Sequence, residues 1–460
     1  MVDQKPPRRL ISWREVRAHN TRATAWLVIH HKVYDVSQWE GHPGGHVVFT
    51  QAGEDATDAF AVFHPTSAFA LLEQFYIGDV DESTRGDGEP EPESAADAAQ
   101  RRRTQDFIAA YRKLRLQVKR LGLYEASLLY YAWKVVSTFG LWLAAAALCV
   151  AGQSTPVYLL AGAVLGLFYQ QSGWLAHDFL HHQVFKNHVL GDLVGVLVGN
   201  VWQGFSVQWW KNKHNTHHAV PNIHGHDAAT ALFAGDPDID TVPLLAWSKE
   251  MAALAADSAV GRFFVRHQAV LYFPLLLLAR LSWMLQSFLY AFRGFAFYAY
   301  DPVQHEALER AGLLVHYAWN VALPYAAGMS LGQGVAFFLT SQATCGLLLA
   351  LVFSLGHNGM AVYERERKPD FWQLQVSTTR NIKSSLFMDW FTGGLNYQID
   401  HHLFPMLPRH NLHKVNVLIK SLCKEFDLPF HETGFWDGLG EVVGHLGHIS
   451  KEFIADFPAM

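Results

Sequence analysis

The sequence predicts a small α+β domain followed by an all-α polytopic membrane domain, with about four spanning helices in two hairpins, further interfacial helices and a histidine-rich site on one membrane face. Three observations lead there. Residues 8–80 alternate short apolar runs with polar turns and read as a self-contained unit. Residues 81–104 open on DESTRGDGEPEPES, which holds nothing able to bury a core, so the stretch reads as an acidic flexible linker. Residues 105–460 then carry repeated apolar stretches close to the ~20 residues that a spanning helix needs.

Composition agrees. Of 460 residues, 50% are apolar and only 17% charged, low for a soluble chain of this length. The 15 Trp and 16 Tyr suit a protein whose amphipathic rings gather at water–lipid interfaces. A net charge of −5 gives no electrostatic footprint for nucleic acid. Cys149, Cys345 and Cys423 form no CxxC pair, so neither a disulfide framework nor a zinc knuckle is expected. The first thirty residues lack an apolar run as long as a signal sequence needs, so insertion is expected from internal segments.

Within the first unit, residues 26–29 (WLVI) read as a strand, His30-His31-Lys32 as a polar turn, and the residues through Val36 as a second extended segment. Residues 54–60 begin with acidic residues and start a short helix. After the linker, residues 101–120 turn basic and predict an interfacial helix. The apolar segments are 131–151, 156–176, 189–205, 269–291, 311–330 and 335–356. Connectors 152–156 and 329–334 are short and uncharged, whereas Lys and Arg flank the other ends. Positive flanks stay cytosolic, so the two connectors are expected to be lumenal turns of two helical hairpins. Segments 189–205 and 269–291 are then expected not to cross, which keeps every histidine cluster on the cytosolic side.

His42-Pro43-Gly44-Gly45 is followed by His64 in FHP, 22 residues after His42. A bis-histidine haem needs two imidazoles on opposite walls of an apolar slot. Pro43 fixes the backbone beside the first, and the glycines let the chain turn close to a flat ring. Phe49, Phe60, Phe63 and Leu72 are the expected lining.

Three further clusters are His177-Asp178-Phe179-Leu180-His181-His182, His214-Asn215-Thr216-His217-His218 and Gln398-Ile399-Asp400-His401-His402. Residues three and four apart share a helix face, so each cluster can converge on a metal. Adjacent histidines diverge by about 100°, so each pair can address two neighbouring metals. Eight histidines exceed the four ligands of one tetrahedral zinc, and two metals are implied. Imidazole suits iron, copper, zinc and nickel alike; a haem donor in the same chain favours a redox metal, hence iron. Asp178 and Asp400 are expected to orient imidazoles. Asp236, Asp238 and Asp240 read as a solvated loop, and His188, His224, His226, His305 and His410 as ordinary surface residues.

Residues 8–80 resemble the cytochrome b5 family, and the resemblance implies that His42 and His64 are axial ligands of a haem b that transfers single electrons. The three boxes resemble the membrane fatty-acid desaturases. Glutamine at 398 together with an N-terminal haem domain is similar to the front-end (cytochrome b5-fusion) subgroup, closest to oomycete-type delta-6 acyl desaturases. QSGWLAH over 171–177, QWWKNKH over 208–214, GDPDID over 235–240 and GLNYQ over 394–398 also carry this likeness. It implies two non-haem irons at the boxes, with His177, His181, His182, His214, His217, His218, His401 and His402 as ligands and Gln398 beside them. Family members use one more histidine near the last spanning helix, and His357 is the matching residue. The implied reaction uses O2 as co-substrate to place a cis double bond at the delta-6 position of linoleate or alpha-linolenate. The implied partners are a CoA- or phospholipid-linked acyl chain, NADH-cytochrome b5 reductase and the bilayer of the endoplasmic reticulum. Two other readings share the motifs: the same chemistry at delta-5, delta-8, delta-4 or on a sphingolipid base, and a membrane-anchored haem electron carrier.

Overall fold

A computed structural model describes residues 9–39, 41–86, 94–225, 235–294 and 304–458. The N-terminal unit holds strands β1 (Leu10–Ser12), β2 (Asn20–Thr21), β3 (Thr24–Ile29), β4 (Lys32–Asp35) and β5 (Tyr76–Asp81), in the order β1-β5-β4-β3-β2. β1 runs parallel to β5, and the other pairs are antiparallel. Ile29 pairs with Lys32, which leaves His30 and His31 as a two-residue turn with φ of 48° and 64°. Positive φ at both positions gives the turn whose twist matches a hairpin. Side chains alternate across β3: Leu27 and Ile29 join Phe49, Phe60 and Leu72, while Trp26 and Val28 join Ile11 and Trp13. The short helices α1 (Trp13–Ala18) and α2 (Thr57–Phe63) complete the unit.

Helix α3 (Ala95–Arg120) begins inside the stretch expected as linker, because residues 95–99 are mostly alanine, the strongest helix former. Its apolar residues Phe107, Tyr111, Leu114 and Val118 recur at helical spacing and are buried against Trp372, Leu403 and Ile419. The basic helix expected on a membrane surface therefore packs on the C-terminal part of the chain.

Helices α4 (Leu128–Ala151) and α5 (Thr155–Leu180) form a hairpin around a three-residue turn, with Pro156 in the first turn of α5. α6 (His188–Val196) continues into a π-helical turn over Leu197–Gln203, and α7 (Val207–Ala219) follows. α8 (Ala259–Leu276) and α9 (Ala279–Arg293) are bent by 73° at their break. α10 (Glu306–Ala326) and α11 (Leu331–His357) make the second hairpin. α11 packs closely on α5: a Cβ at Gly166 would lie 2.8 Å from the Ser341 carbonyl, so this crossing requires glycine. α12 (Gln398–Leu403), α13 (Leu412–Glu425) and α14 (Phe435–Asp456) close the chain.

Among the described residues, α4 and α11 are long and apolar enough to cross a membrane, and the bent α8–α9 pair makes a third span if it counts as one. α5 and α10 are more polar. They bury Gln170, Gln171 and Ser172, and Glu309, His316 and Asn320, respectively, against neighbouring helices. Leu129, Trp133, Val270, Val321 and Leu331 are exposed on the outer faces, an apolar surface suited to lipid.

Candidate functional site

The haem-type site comes from two short elements. His42 precedes the 3-10 segment Gly45–Gln51, and His64 caps the C-terminus of α2. Gly45 has φ 75°, and its N–H donates to the His42 carbonyl at 2.8 Å, a turn that an L side chain would strain. The two rings lie with centroids 5.8 Å apart. Two imidazoles on opposite sides of one metal, with bonds of about 2 Å, need a separation of about 6 Å. Each Nδ1 lies 3.0 Å from a backbone carbonyl, that of Gly45 for His42 and of Phe60 for His64. Such a contact fixes the tautomer with Nδ1 protonated, which makes Nε2 the nitrogen with a lone pair for a metal. Burial holds His64 below the ordinary imidazole pKa, in the neutral form that a metal requires. The residues present fit a bis-histidine haem.

Phe49, Phe60 and Leu72 join the core of this unit, as expected. Phe63 does not. The His64 ring stacks on Phe60 at 4.4 Å, whereas Val62 and Phe63 lie on the edge of α2 that packs into the membrane domain. The Phe63 ring sits 6.2 Å from that of His218 and 6.2 Å from that of Phe371.

The second site gathers eight buried imidazoles in two groups, His177, His181, His214, His218 and His401 in one, and His217, His357 and His402 in the other. α5 delivers His177 and His181 at its C-terminal end, α11 delivers His357 at its own, and α7 and α12 supply the rest. In the first group Nε2 faces Nε2: His177 and His401 at 3.1 Å, His181 and His214 at 2.8 Å, His214 and His218 at 3.1 Å, His218 and His401 at 3.1 Å. Ligands at about 2.1 Å on adjacent positions of one metal lie about 3 Å apart, so this spacing suits a shared ion. In the second group the Nε2 atoms of His217 and His357 are 3.2 Å apart, and the Gln398 amide lies 2.8 Å from His357. His402 Nε2 is buried with no hydrogen-bond partner among the described residues, an orphan that a metal would satisfy.

Two of the three adjacent pairs divide between the groups, His217 from His218 and His401 from His402. His214, His217 and His218 thus do not meet at one point, as the spacing suggested. On a helix, residues four apart differ by about 40° and residues three apart by about 60° in the other sense, and here that difference separates His217 from its neighbours. His182 joins neither group. α5 ends at Leu180, His182 turns out at φ 55°, and its ring stacks on His188 at 4.0 Å. The helical divergence assumed for His181 and His182 fails because the helix has already stopped.

Four of the eight imidazoles have a contact at the opposite nitrogen. His217 Nδ1 lies 2.8 Å from Asp236, His357 Nδ1 is 3.2 Å from the Thr378 carbonyl, and His402 Nδ1 donates to Gln375 at 2.8 Å. His177 Nδ1 is 3.5 Å from Asp178, which is ion-paired with the buried Arg409. Asp400 instead accepts from Asn381 and Asn416 at 2.7 and 2.8 Å and pins α12 rather than an imidazole. Burial, and then the neighbouring imidazoles, hold His214, His218, His401 and His402 well below the ordinary pKa, so they stay neutral. His217 differs: burial pushes it down, but the Asp236 carboxylate outweighs burial and leaves it raised.

Asp236 is therefore buried site structure rather than solvated loop, while Asp238 stays exposed. Gln375, Thr378 and Arg409 carried no signal in the sequence; Asp236 lay in the singled-out GDPDID segment. Among the histidines expected at the surface, His224 contacts Glu364 at 3.0 Å and His410 accepts the Ser127 N–H at 2.9 Å, whereas His226 lies outside the described residues.

Comparison with known proteins agrees with this geometry. Residues 12–81 match the family model for a cytochrome b5-like heme/steroid binding domain, and residues 153–434 match that for fatty acid desaturase. An acyl-lipid (9-3)-desaturase of Physcomitrium patens is 37% identical over 97% of this chain and 81% of its own length. A Delta(8)-fatty-acid desaturase of Euglena gracilis is 35% identical over 94% and 96%. A Delta(6)-fatty-acid desaturase of Caenorhabditis elegans is 34% identical over 90% and 93%. Two imidazole groups that together suit a non-haem di-iron centre, beside a haem-type histidine pair, are what such an oxygen-dependent enzyme needs, and the chain belongs to the membrane fatty-acid desaturase family with a fused cytochrome b5-like domain.

Proposed function

We propose that the chain is a front-end acyl desaturase that places a cis double bond on the carboxyl side of an existing one in linoleate, alpha-linolenate or a similar chain. The division of eight buried imidazoles into groups of five and three supports the two-iron chemistry of this reading, and the fused haem-type domain with relatives named for delta-5, delta-6 and delta-8 supports the front-end position. In it, His177, His181, His214, His218 and His401 hold one iron, and His217, His357 and His402 the other, with Gln398 at the edge of the second. His42 and His64 hold haem b. When bound, these groups supply single electrons and the oxidising power, drawn from O2, to break two unactivated C–H bonds.

The protein's own contribution is position. Asp178, Asp236, Gln375 and the Thr378 carbonyl fix the imidazoles from behind, and burial keeps bulk water from the reacting carbons. Both hairpins are read as crossing the membrane, α4 with α5 and α10 with α11. Each returning helix then ends with histidines on the cytosolic side, which also carries the haem domain. NADH-cytochrome b5 reductase at the endoplasmic reticulum is the proposed electron source.

The delta-6 position is the expectation from the motifs, as is the oomycete-type likeness. Relatives named for delta-6, delta-8 and delta-5 are 34–35% identical to this chain, so a new bond at delta-8 or delta-5 belongs to the same proposal. Expression in yeast fed in parallel linoleate, alpha-linolenate and C20 acids whose first double bond lies at carbon 8 or carbon 11, with the new bond located by mass spectrometry, tests the reading. A new cis bond on the carboxyl side supports it, and its position chooses among delta-6, delta-8 and delta-5. No new bond, or one on the methyl side, overturns it. Whether labelled product appears first in phospholipid or in acyl-CoA identifies the carrier.

A further inference from the structure

The haem unit is docked on the membrane domain by a defined interface. Val62 and Phe63 of α2 enter the same apolar core as Tyr111, Trp372 and Phe404, and Val62 is only 4% exposed. Ion pairs flank this contact: Arg112 grips both oxygens of Asp58 at 2.8 and 2.9 Å, and Lys368 meets Glu54 at 2.7 Å. The Phe63 ring stands edge-on to His218 at 6.2 Å, with an interplanar angle of 77°. Phe63 is the chain neighbour of His64 in the haem-type pair, and His218 belongs to the five-imidazole group. One aromatic side chain thus links the two sites.

Resting on the function proposed above, we infer that Phe63 is the positioning residue through which an electron passes from the haem site to the histidine groups, and that the Asp58–Arg112 and Glu54–Lys368 pairs hold the unit in its donating pose. The step is a single electron transfer in which the ferrous haem is oxidised and a ferric non-haem iron reduced, with no bond made or broken. Tunnelling through a contiguous packed path is far faster than across a loose or hydrated gap. A small side chain at 63 removes the ring that fills this one, whereas tyrosine or tryptophan keeps it filled.

The test uses the full chain loaded with haem and iron. The haem is reduced under anaerobic conditions, and its reoxidation by the oxidised metal centre is followed by stopped-flow absorbance. Phe63→Ala is expected to slow this step by roughly tenfold, about 1.4 kcal/mol on its barrier, with haem spectrum and iron content unchanged. Phe63→Tyr should restore it. Asp58→Arg should slow it as well and increase hydrogen exchange over residues 105–119 and 368–377. The charge swap Asp58→Arg with Arg112→Asp should reverse both effects. Wild-type reoxidation rates in Phe63→Ala overturn the role of Phe63, and wild-type exchange in Asp58→Arg overturns the docked pose. Absence of haem, iron or new double bonds in the unaltered chain would instead strike the function reading.

Discussion

The haem-type pair and the histidine groups reach similar chemistry by different routes. His42 and His64 lie in one small domain, and each is held by a carbonyl only three or four residues away. The eight imidazoles of the larger site come from four helices, and the outer nitrogens of His217, His357 and His402 are held by residues 19 to 27 positions away. The first site is local and should survive damage elsewhere. The second exists only when α5, α7, α11 and α12 are packed together, so a single fault should spread through it.

The largest effects should show that independence. His401→Ala and His218→Ala are expected to abolish desaturation and strip non-haem iron while leaving the low-spin haem spectrum intact. His42→Ala or His64→Ala should do the reverse: haem lost, iron retained, and no turnover without an added carrier. Loss of both cofactors from any one of these variants would break the comparison.

Next come the residues that define the edge of the metal site. His357→Ala should lower bound iron and nearly eliminate activity, since it is one of only three imidazoles in its group. Gln398→Ala should lose less metal than His401→Ala, because an amide binds iron less tightly than imidazole. His182→Ala should keep its iron, because that ring stacks on His188 outside both groups. Metal analysis of the purified variants checks all three.

Smaller effects fall on the supporting residues. Asp236→Ala and Gln375→Ala should each weaken metal binding by about 10–100-fold, measured by competition with a chelator. The haem-site histidines lean on the Gly45 and Phe60 backbone carbonyls, contacts that no side-chain substitution removes directly. The nearest equivalent is Gly45→Ala, which places an L residue at φ 75° and should cost the haem domain about 1–2 kcal/mol, read as a lower Tm of the haem absorbance.

The same contrast explains what the sequence revealed. HPGG and FHP were legible because both proposed haem ligands sit in local motifs whose backbone partners are a few residues away. Box spacing singled out seven of the eight clustered imidazoles, and the apolar run 335–356 pointed to the eighth, His357, at its end. What spacing could not reveal was where a helix stops: α5 ends before His182, so the third member of the first box turns away. Nor could it place Asp236, Gln375 or Arg409, which reach the site only through tertiary packing. Phe63 read as haem lining because it is three residues from Phe60, yet α2 turns that edge toward α3 and the five-imidazole group.

The most direct test of this arrangement is a metal count on the intact purified chain. Elemental analysis of iron, corrected for haem measured by its absorbance, should give two non-haem irons for each haem, falling toward one in His357→Ala. One non-haem metal per haem, or zinc in place of iron, would contradict the division of the eight imidazoles into two iron-binding groups.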